Sequence, residues 1–146
     1  MNGALQQRIT AHLENSTGSK LTDPSDVWLH AGLSGDDWHE FVDGYAREFN
    51  VDMTDYRWYY HGDEEGLLSF GGLVYPPPQR QVTRIPVSVD QLAEFAVAGT
   101  WRVTYPVEEV DLRRRDMVVN RVIGYVLLLL TLSLLMYKFV AAQGRT

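Results

Sequence analysis

The 146-residue sequence contains no cysteine, which excludes disulfide bonds, cysteine-ligated zinc, iron–sulfur clusters and thiol nucleophiles. It also lacks a glycine-rich phosphate loop, because Gly71-Gly72 leads into Leu-Val-Tyr-Pro-Pro-Pro and not into a helix. Internal repeats are absent, and the three adjacent prolines are the one low-complexity tract. Apolar residues make up 45% of the chain and charged residues 22%, a composition typical of a folded protein.

Charge is distributed unevenly along the chain. Residues 1–110 carry 7 Lys and Arg against 17 Asp and Glu, a net charge of −10, whereas residues 111–146 carry 6 against 2, a net charge of +4. We therefore expect the two parts to meet different surroundings. We expect no binding of nucleic acid by the acidic part, because phosphates are bound by Lys and Arg.

The basic part contains a long apolar run. Val122–Tyr137 carries no charge, and the run extends to Ala142 if Lys138 directs its ammonium group to the bilayer surface. About 20 helical residues cross the hydrocarbon core of a bilayer. The run also lacks the polar face that a helix in a soluble core would show. We predict a transmembrane helix over residues 117–142, followed by a short tail, residues 143–146.

Basic residues flank this run mainly on its N-terminal side, where residues 107–116 form a juxtamembrane linker. The upstream basic residues are Arg113, Arg114, Arg115 and Arg121. Only Lys138 and Arg145 follow the apolar run. The more positive flank of a transmembrane helix is retained in the cytoplasm. The first 15 residues contain no apolar run of signal-peptide length. We predict a single-pass, tail-anchored protein of the inner (cytoplasmic) membrane with its N-terminal domain in the cytoplasm. The arginines serve either as a topology signal or as a contact for anionic headgroups.

The acidic part has helical periodicity. Leu5, Ile9 and Leu13 are spaced at i, i+4 and i+8, which predicts a helix over residues 4–14. The clearest helix follows Ser34, and its apolar positions are Trp38, Phe41, Val42, Tyr45 and Phe49. A last helix begins at Ser88 and ends at Gly99. Capping-box spacing is present at both starts, in the pairs Ser34 with Asp37 and Ser88 with Gln91.

The remaining segments of the acidic part are connections and one brief helix. Leu21–Leu33 and residues 71–78 have the turn residues of loops. The brief helix holds the aromatic residues Tyr56, Trp58, Tyr59 and Tyr60. These aromatic side chains either build the core or line a ligand groove. We predict an all-α fold, a small four-helix bundle over residues 1–106 with one C-terminal transmembrane helix.

Several short runs resemble an uncharacterised bacterial family of small proteins related to acyl carrier proteins. These runs are Leu33-Ser34-Gly35-Asp36-Asp37, Phe49-Asn50-Val51-Asp52, Ile85-Pro86-Val87-Ser88-Val89 and Ala98-Gly99-Thr100-Trp101. The match covers roughly residues 21–105 and leaves the membrane segment outside. The resemblance implies a four-helix carrier-type fold. In acyl carrier proteins, a serine at the start of the second helix holds the phosphopantetheine arm, and the matching position here is Gly35. Ser34 lies one residue upstream and is either an attachment point or a helix N-cap.

Carrier proteins of this type dock on basic patches of partner enzymes through an acidic second helix. Here ten acidic residues and two arginines lie between Asp36 and Glu65, a net charge of −8. Clustered like charge speeds the encounter with an oppositely charged partner. The expected docking residues are Asp36, Asp37, Glu40, Asp43 and Glu48. The alternative is a solvated face that keeps the domain soluble.

The sequence offers little support for a catalytic or metal-binding site. His39 and Asp43 have the i, i+4 spacing of metal ligands, but no third ligand is fixed by the sequence. Ser34, His39 and Asp43 lack the oxyanion loop and nucleophile elbow of a hydrolase. We predict a protein that is not an enzyme and that holds neither a metal nor another cofactor.

The preferred function is docking of a partner protein with a basic patch near the bilayer. One alternative is an acyl carrier tethered to the membrane, with phosphopantetheine on Ser34. The other is a small accessory subunit of a membrane complex that binds through its transmembrane helix.

Overall fold

The computed structural model of the chain describes residues 2–63 and 69–143, and within these ranges the regular structure is helical, with no β-strand. The α-helices are α1 (Asn2–Thr17), α2 (Val27–His30), α3 (Gly35–Phe49), α4 (Phe70–Val74), α5 (Val89–Ala98) and α6 (Arg115–Gln143). Single 3-10 turns cover Trp58–Tyr60 and Pro78–Arg80. The prediction of an all-α protein is confirmed. Glu64, Glu65 and residues 144–146 of the predicted tail lie outside the described residues.

The described residues form two compact units. The first contains residues 2–63 and 78–110, and the second contains residues 69–77 and 111–143. Residues 69–77, expected from the sequence within a helical domain over residues 1–106, thus belong to the same unit as the C-terminal helix.

The core of the first unit forms where α1 packs against both α3 and α5. Its fully buried side chains include Ile9, Leu13, Trp38, Phe41, Tyr45, Leu92 and Trp101. The Tyr45 hydroxyl donates to the Leu92 carbonyl oxygen at 2.6 Å, which joins α3 to α5. Each large apolar side chain buried here contributes about 1.5–3 kcal/mol. The helical spacing of the apolar residues therefore identified the buried faces of α1 and α3.

The two predicted capping boxes have different outcomes. At α5, Ser88 Oγ accepts from the Gln91 N–H at 3.2 Å and Gln91 Oε1 accepts from the Ser88 N–H at 3.0 Å, so that box is confirmed. At α3, Ser34 is the N-cap residue but its side chain makes no cap hydrogen bond, so the second box is wrong. The Asp37 N–H donates instead to the Ser34 carbonyl oxygen, at 3.1 Å, and Gly35 begins α3 with a left-handed φ of +47°.

The brief helix expected around Tyr56 and Tyr60 is only a 3-10 turn, Trp58–Tyr60. The Tyr60 carbonyl oxygen accepts from the Ile85 N–H at 2.7 Å and is therefore taken by a distant segment instead of by a further helical turn. The expected loop Leu21–Leu33 contains α2, whose Val27 is buried. Among its described residues the first unit contains four α-helices, α1, α2, α3 and α5, of which α2 has only four residues. The expected four-helix bundle of the carrier type is not confirmed.

Helix α6 is 29 residues long, or about 43 Å at 1.5 Å per residue. Its mean hydropathy reaches 2.0 over a window that is 0% buried, so it is long and apolar enough to cross a bilayer. The Thr131 hydroxyl donates to the Leu127 carbonyl oxygen at 2.8 Å, which satisfies a polar group within the apolar run. The helix begins at Arg115, two residues before the predicted start.

Candidate functional site

Helix α3 separates an apolar face from an acidic one. Trp38, Phe41 and Tyr45 are buried in the core. The exposed carboxylates are those of Asp36, Asp37, Glu40 and Asp43. Because Asp36, Glu40 and Asp43 are spaced at i, i+4 and i+7, they share one face of the helix. Asp36, Asp37, Glu40 and Asp43 together are called the acidic face. Asp36 and Asp37 lie in the first turn, where negative charge is stabilised by the helix dipole.

The charges of the acidic face are not neutralised within the domain. Among residues 2–63 and 69–143, no Lys, Arg or His nitrogen lies within 4.0 Å of these four carboxylates. Burial raises the pKa of the Tyr56 phenol, and the negative charge of Asp43 adds to this rise. The acidic face therefore presents its charge to solvent and to any approaching molecule.

Glu48, the fifth expected docking residue, has a different setting. Its carboxylate forms an ion pair with Arg8, at 3.8 Å, and contacts His12 Nδ1, so it ties the last turn of α3 to α1. The Arg8 guanidinium also lies over the Phe49 ring, 5.2 Å from its centre. A half-exposed pair of this kind contributes about 1 kcal/mol or less to stability. The structure thus gives Glu48 partners inside the domain and leaves four acids on the acidic face.

The start of α3 carries the serine that the resemblance singles out. Ser34 is exposed and has an extended backbone, with φ −142° and ψ 155°. Gly35 is buried, and its N–H donates to the Asp63 carbonyl oxygen at 3.0 Å. A side chain at position 35 would be strained by the positive φ there. The hydroxyl at this end of α3 is therefore that of Ser34.

No protein-family model, curated protein or solved structure matches this chain. The resemblance to the family related to acyl carrier proteins stays a prediction.

His39, the residue proposed from its spacing as a metal ligand, packs against an aromatic ring. The His39 ring packs against Trp58, with ring centres 5.9 Å apart. In the part of the chain that the structure describes, no group of three or more His, Asp or Glu side chains is arranged to hold a metal.

The four juxtamembrane arginines have different surroundings. Arg114 makes a two-pronged ion pair with the buried Asp116, with Nε–Oδ1 at 3.1 Å and Nη2–Oδ2 at 3.0 Å. Arg115 lies over the Tyr75 ring, 5.8 Å from its centre. Arg113 and Arg121 are exposed. Two of the four arginines thus have protein partners, and two present their charge outward.

Sequence reasoning missed a buried histidine, His61. Its Nδ1–H donates to the Ile85 carbonyl oxygen at 2.9 Å, and its Nε2 accepts from the Tyr105 hydroxyl at 2.8 Å. This tautomer follows because a carbonyl oxygen can only accept. Burial lowers the pKa of His61 to about 4, so the ring is neutral at pH 7.

The aromatic residues around His61 complete a structural cluster. The Trp101 indole N–H donates to the Tyr105 hydroxyl at 2.8 Å, and the Tyr56 ring stacks on His61 with centres 5.6 Å apart. The Trp38 indole N–H donates to the Tyr56 hydroxyl at 2.9 Å. Tyr56 therefore takes part in this cluster, although its side chain, like those of Trp58 and Tyr59, is only partly buried. The partners of His61 lie 24 and 44 residues away along the chain, so no local signal marked them.

Proposed function

We propose that this chain is a non-enzymatic, tail-anchored membrane protein whose helical domain docks a partner protein through the acidic face. The observation that carries the proposal is the set of four exposed carboxylates without a basic nitrogen within 4.0 Å among the described residues, on a helix whose other side forms the core. Four negative charges within two helical turns attract a positively charged surface and speed the encounter with it. The partner has a basic patch and works close to the membrane.

The anchor in this proposal is α6. Its length and its exposed apolar side chains suit a bilayer. The basic residues that precede its apolar run favour a cytoplasmic position for the first unit and insertion into the inner membrane. Anchoring keeps the acidic face near the bilayer surface, where a membrane-associated partner is concentrated.

The relation to acyl carrier proteins is part of the same proposal. It is supported by a small helical core built from α1, α3 and α5, and by acidic residues on the helix that follows the serine. The exposed position of Ser34 supports a second candidate function, a membrane-tethered carrier with phosphopantetheine on that hydroxyl. Both functions use the same docking surface.

The test is site-specific photocrosslinking in cells of the native host. A photoreactive side chain at Glu40 is expected to give a discrete adduct with one protein. A matched probe at Glu94, an exposed acid on α5, is expected to give none. Adding Asp36→Lys and Asp43→Lys is expected to abolish the adduct, because the acidic face then carries the charge of the partner.

Glu94→Lys with Glu109→Lys is the charge-matched control, since both residues are exposed acids away from α3. This pair is expected to leave the Glu40 adduct unchanged. An adduct that survives reversal of the acidic face would refute docking through it. If that adduct is lost when α6 is replaced by an unrelated apolar helix, the accessory-subunit alternative is supported instead.

A further inference from the structure

The second unit presents an apolar surface that the proposed function does not use. The α4 residues Phe70, Leu73 and Val74 are 57%, 78% and 67% exposed. Their spacing at i, i+3 and i+4 places them on one face of this short helix. Gly71 and Gly72 are buried. This apolar face of α4 is large for a soluble surface, where big apolar side chains are usually scattered singly.

Helix α4 lies against the first turns of α6. A Cβ atom on Gly71 would stand 2.1 Å from the Asp116 carbonyl oxygen, so the contact requires glycine. Asn120 clamps the two segments, because its Oδ1 accepts from the Gly71 N–H at 2.8 Å and its Nδ2 donates to Ser69 Oγ at 2.9 Å. Ser69 Oγ also accepts from the Gly72 N–H at 2.9 Å. The segment is thus fixed to the helix that follows it by about 40 residues.

The position of this contact along α6 sets its depth in a membrane. Asp116 precedes Val122, the start of the uncharged run, by six residues, or about 9 Å of helix. The polar layer on each side of the hydrocarbon core is about 5–8 Å thick. With the uncharged run in the core, Asp116 lies at the outer edge of this layer, and Asn120, two residues or about 3 Å before Val122, lies within it. Because Gly71 contacts both residues, α4 is at headgroup level. The exposed Arg121 lies at the same boundary and suits anionic headgroups.

We propose that α4 is a second membrane contact, whose apolar face enters the interfacial layer of the cytoplasmic leaflet beside α6. This inference rests on the proposed membrane insertion of α6. A bilayer is the favoured occupant because α4 is attached to the membrane helix itself and because the N–H groups of Gly71 and Gly72 are satisfied by Asn120 and Ser69. Amphipathic segments bind bilayer surfaces in this way, with the apolar side toward the acyl chains.

The test uses single-cysteine variants, which the cysteine-free chain allows without further changes. Leu73→Cys reports on α4, Leu129→Cys on α6, and Val97→Cys on an exposed apolar position of α5. Each variant carries an environment-sensitive fluorophore in the full chain, reconstituted in vesicles of phosphatidylcholine with phosphatidylglycerol. Lipids with a spin label near the headgroup or near the end of the acyl chain serve as quenchers.

The Leu73 probe is expected to have blue-shifted emission and to be quenched most by the headgroup-proximal label. The Leu129 probe is expected to be quenched most by the deep label, and the Val97 probe by neither. Gly71→Ala is expected to reduce quenching at position 73 at least twofold, whereas Gly124→Ala, with open space at its Cβ, is expected to leave it unchanged.

The possible failures are distinct. A Leu73 probe that behaves like the Val97 probe while Leu129 is quenched overturns the second membrane contact alone. A blue-shifted Leu73 probe that no lipid label quenches overturns it too, since protein then covers the face, as in a dimer. A Leu129 probe without lipid quenching overturns the proposed anchoring itself.

Discussion

Because the imidazole of His61 is buried, we predict that the free energy of unfolding falls on mild acidification. Its pKa is lowered by burial from an ordinary value of 6.5 to about 4, so the unfolded chain takes up a proton before the folded chain does. Stability is therefore fully present above pH 6.5 and falls as the pH drops toward 4. With 1.36 kcal/mol per pKa unit, the loss between pH 7 and pH 5 is about 2 kcal/mol.

Besides burial, the hydrogen bond at Nε2 opposes protonation of the His61 ring. Protonation at Nε2 would place a hydrogen against the Tyr105 hydroxyl, which already accepts from the Trp101 indole N–H and the Arg57 backbone N–H. That oxygen has no further lone pair to offer. Protonation of the ring would therefore break this hydrogen bond, so the folded protein keeps the ring neutral.

The assay is urea unfolding of the full chain in detergent micelles, followed by near-ultraviolet circular dichroism at pH values from 7 to 5. His61→Gln removes the titrating group and is expected to lose this pH dependence, with lower stability at pH 7. His39→Gln, at a partly exposed histidine, is expected to keep the dependence of the native chain. Equal pH dependence in His61→Gln and the native chain would refute the reasoning.

Two further predictions concern serines at helix starts. The proteolytic peptide that contains Ser34, taken from the protein of the native host, is expected to have its unmodified mass, whereas a phosphopantetheine-sized addition that is absent in Ser34→Ala would replace the docking module with the carrier function. Ser88→Ala is expected to lower the free energy of unfolding by about 1 kcal/mol, because it removes the cap hydrogen bond to Gln91. Unchanged urea midpoints in Ser88→Ala would show that the capping box contributes nothing.

Features with local causes were predictable from the sequence. The α5 capping box and the end of that helix at Gly99 follow from residues within one turn of each other. Helix α6 follows from composition alone, since an apolar run of this length leaves few other structures. The exposed acids of α3 likewise follow from the spacing of Trp38, Phe41 and Tyr45.

Features that depend on distant partners were not predictable. Helix α4 contains two adjacent glycines, which have poor helix propensity. It forms where it packs against the α6 backbone and where Asn120 accepts a hydrogen bond from the Gly71 N–H. The role of Glu48 depends on α1, and that of His61 on Ile85 and Tyr105. The brief helix expected around Tyr60 is limited to a 3-10 turn, because the Tyr60 carbonyl oxygen accepts from the distant Ile85 N–H.

The order of the segments along the chain constrains how this protein is made. Residues 69–77 leave the ribosome well before residues 111–143, with which they form a compact unit. Synthesis proceeds at about 5–20 residues per second, so Asp116 and Asn120, which contact α4, are made a few seconds after it. During that interval the glycine pair has no helix to pack on. A fragment that ends at residue 110 never acquires α6, so its residues Phe70, Leu73 and Val74 lack the helix on which α4 packs.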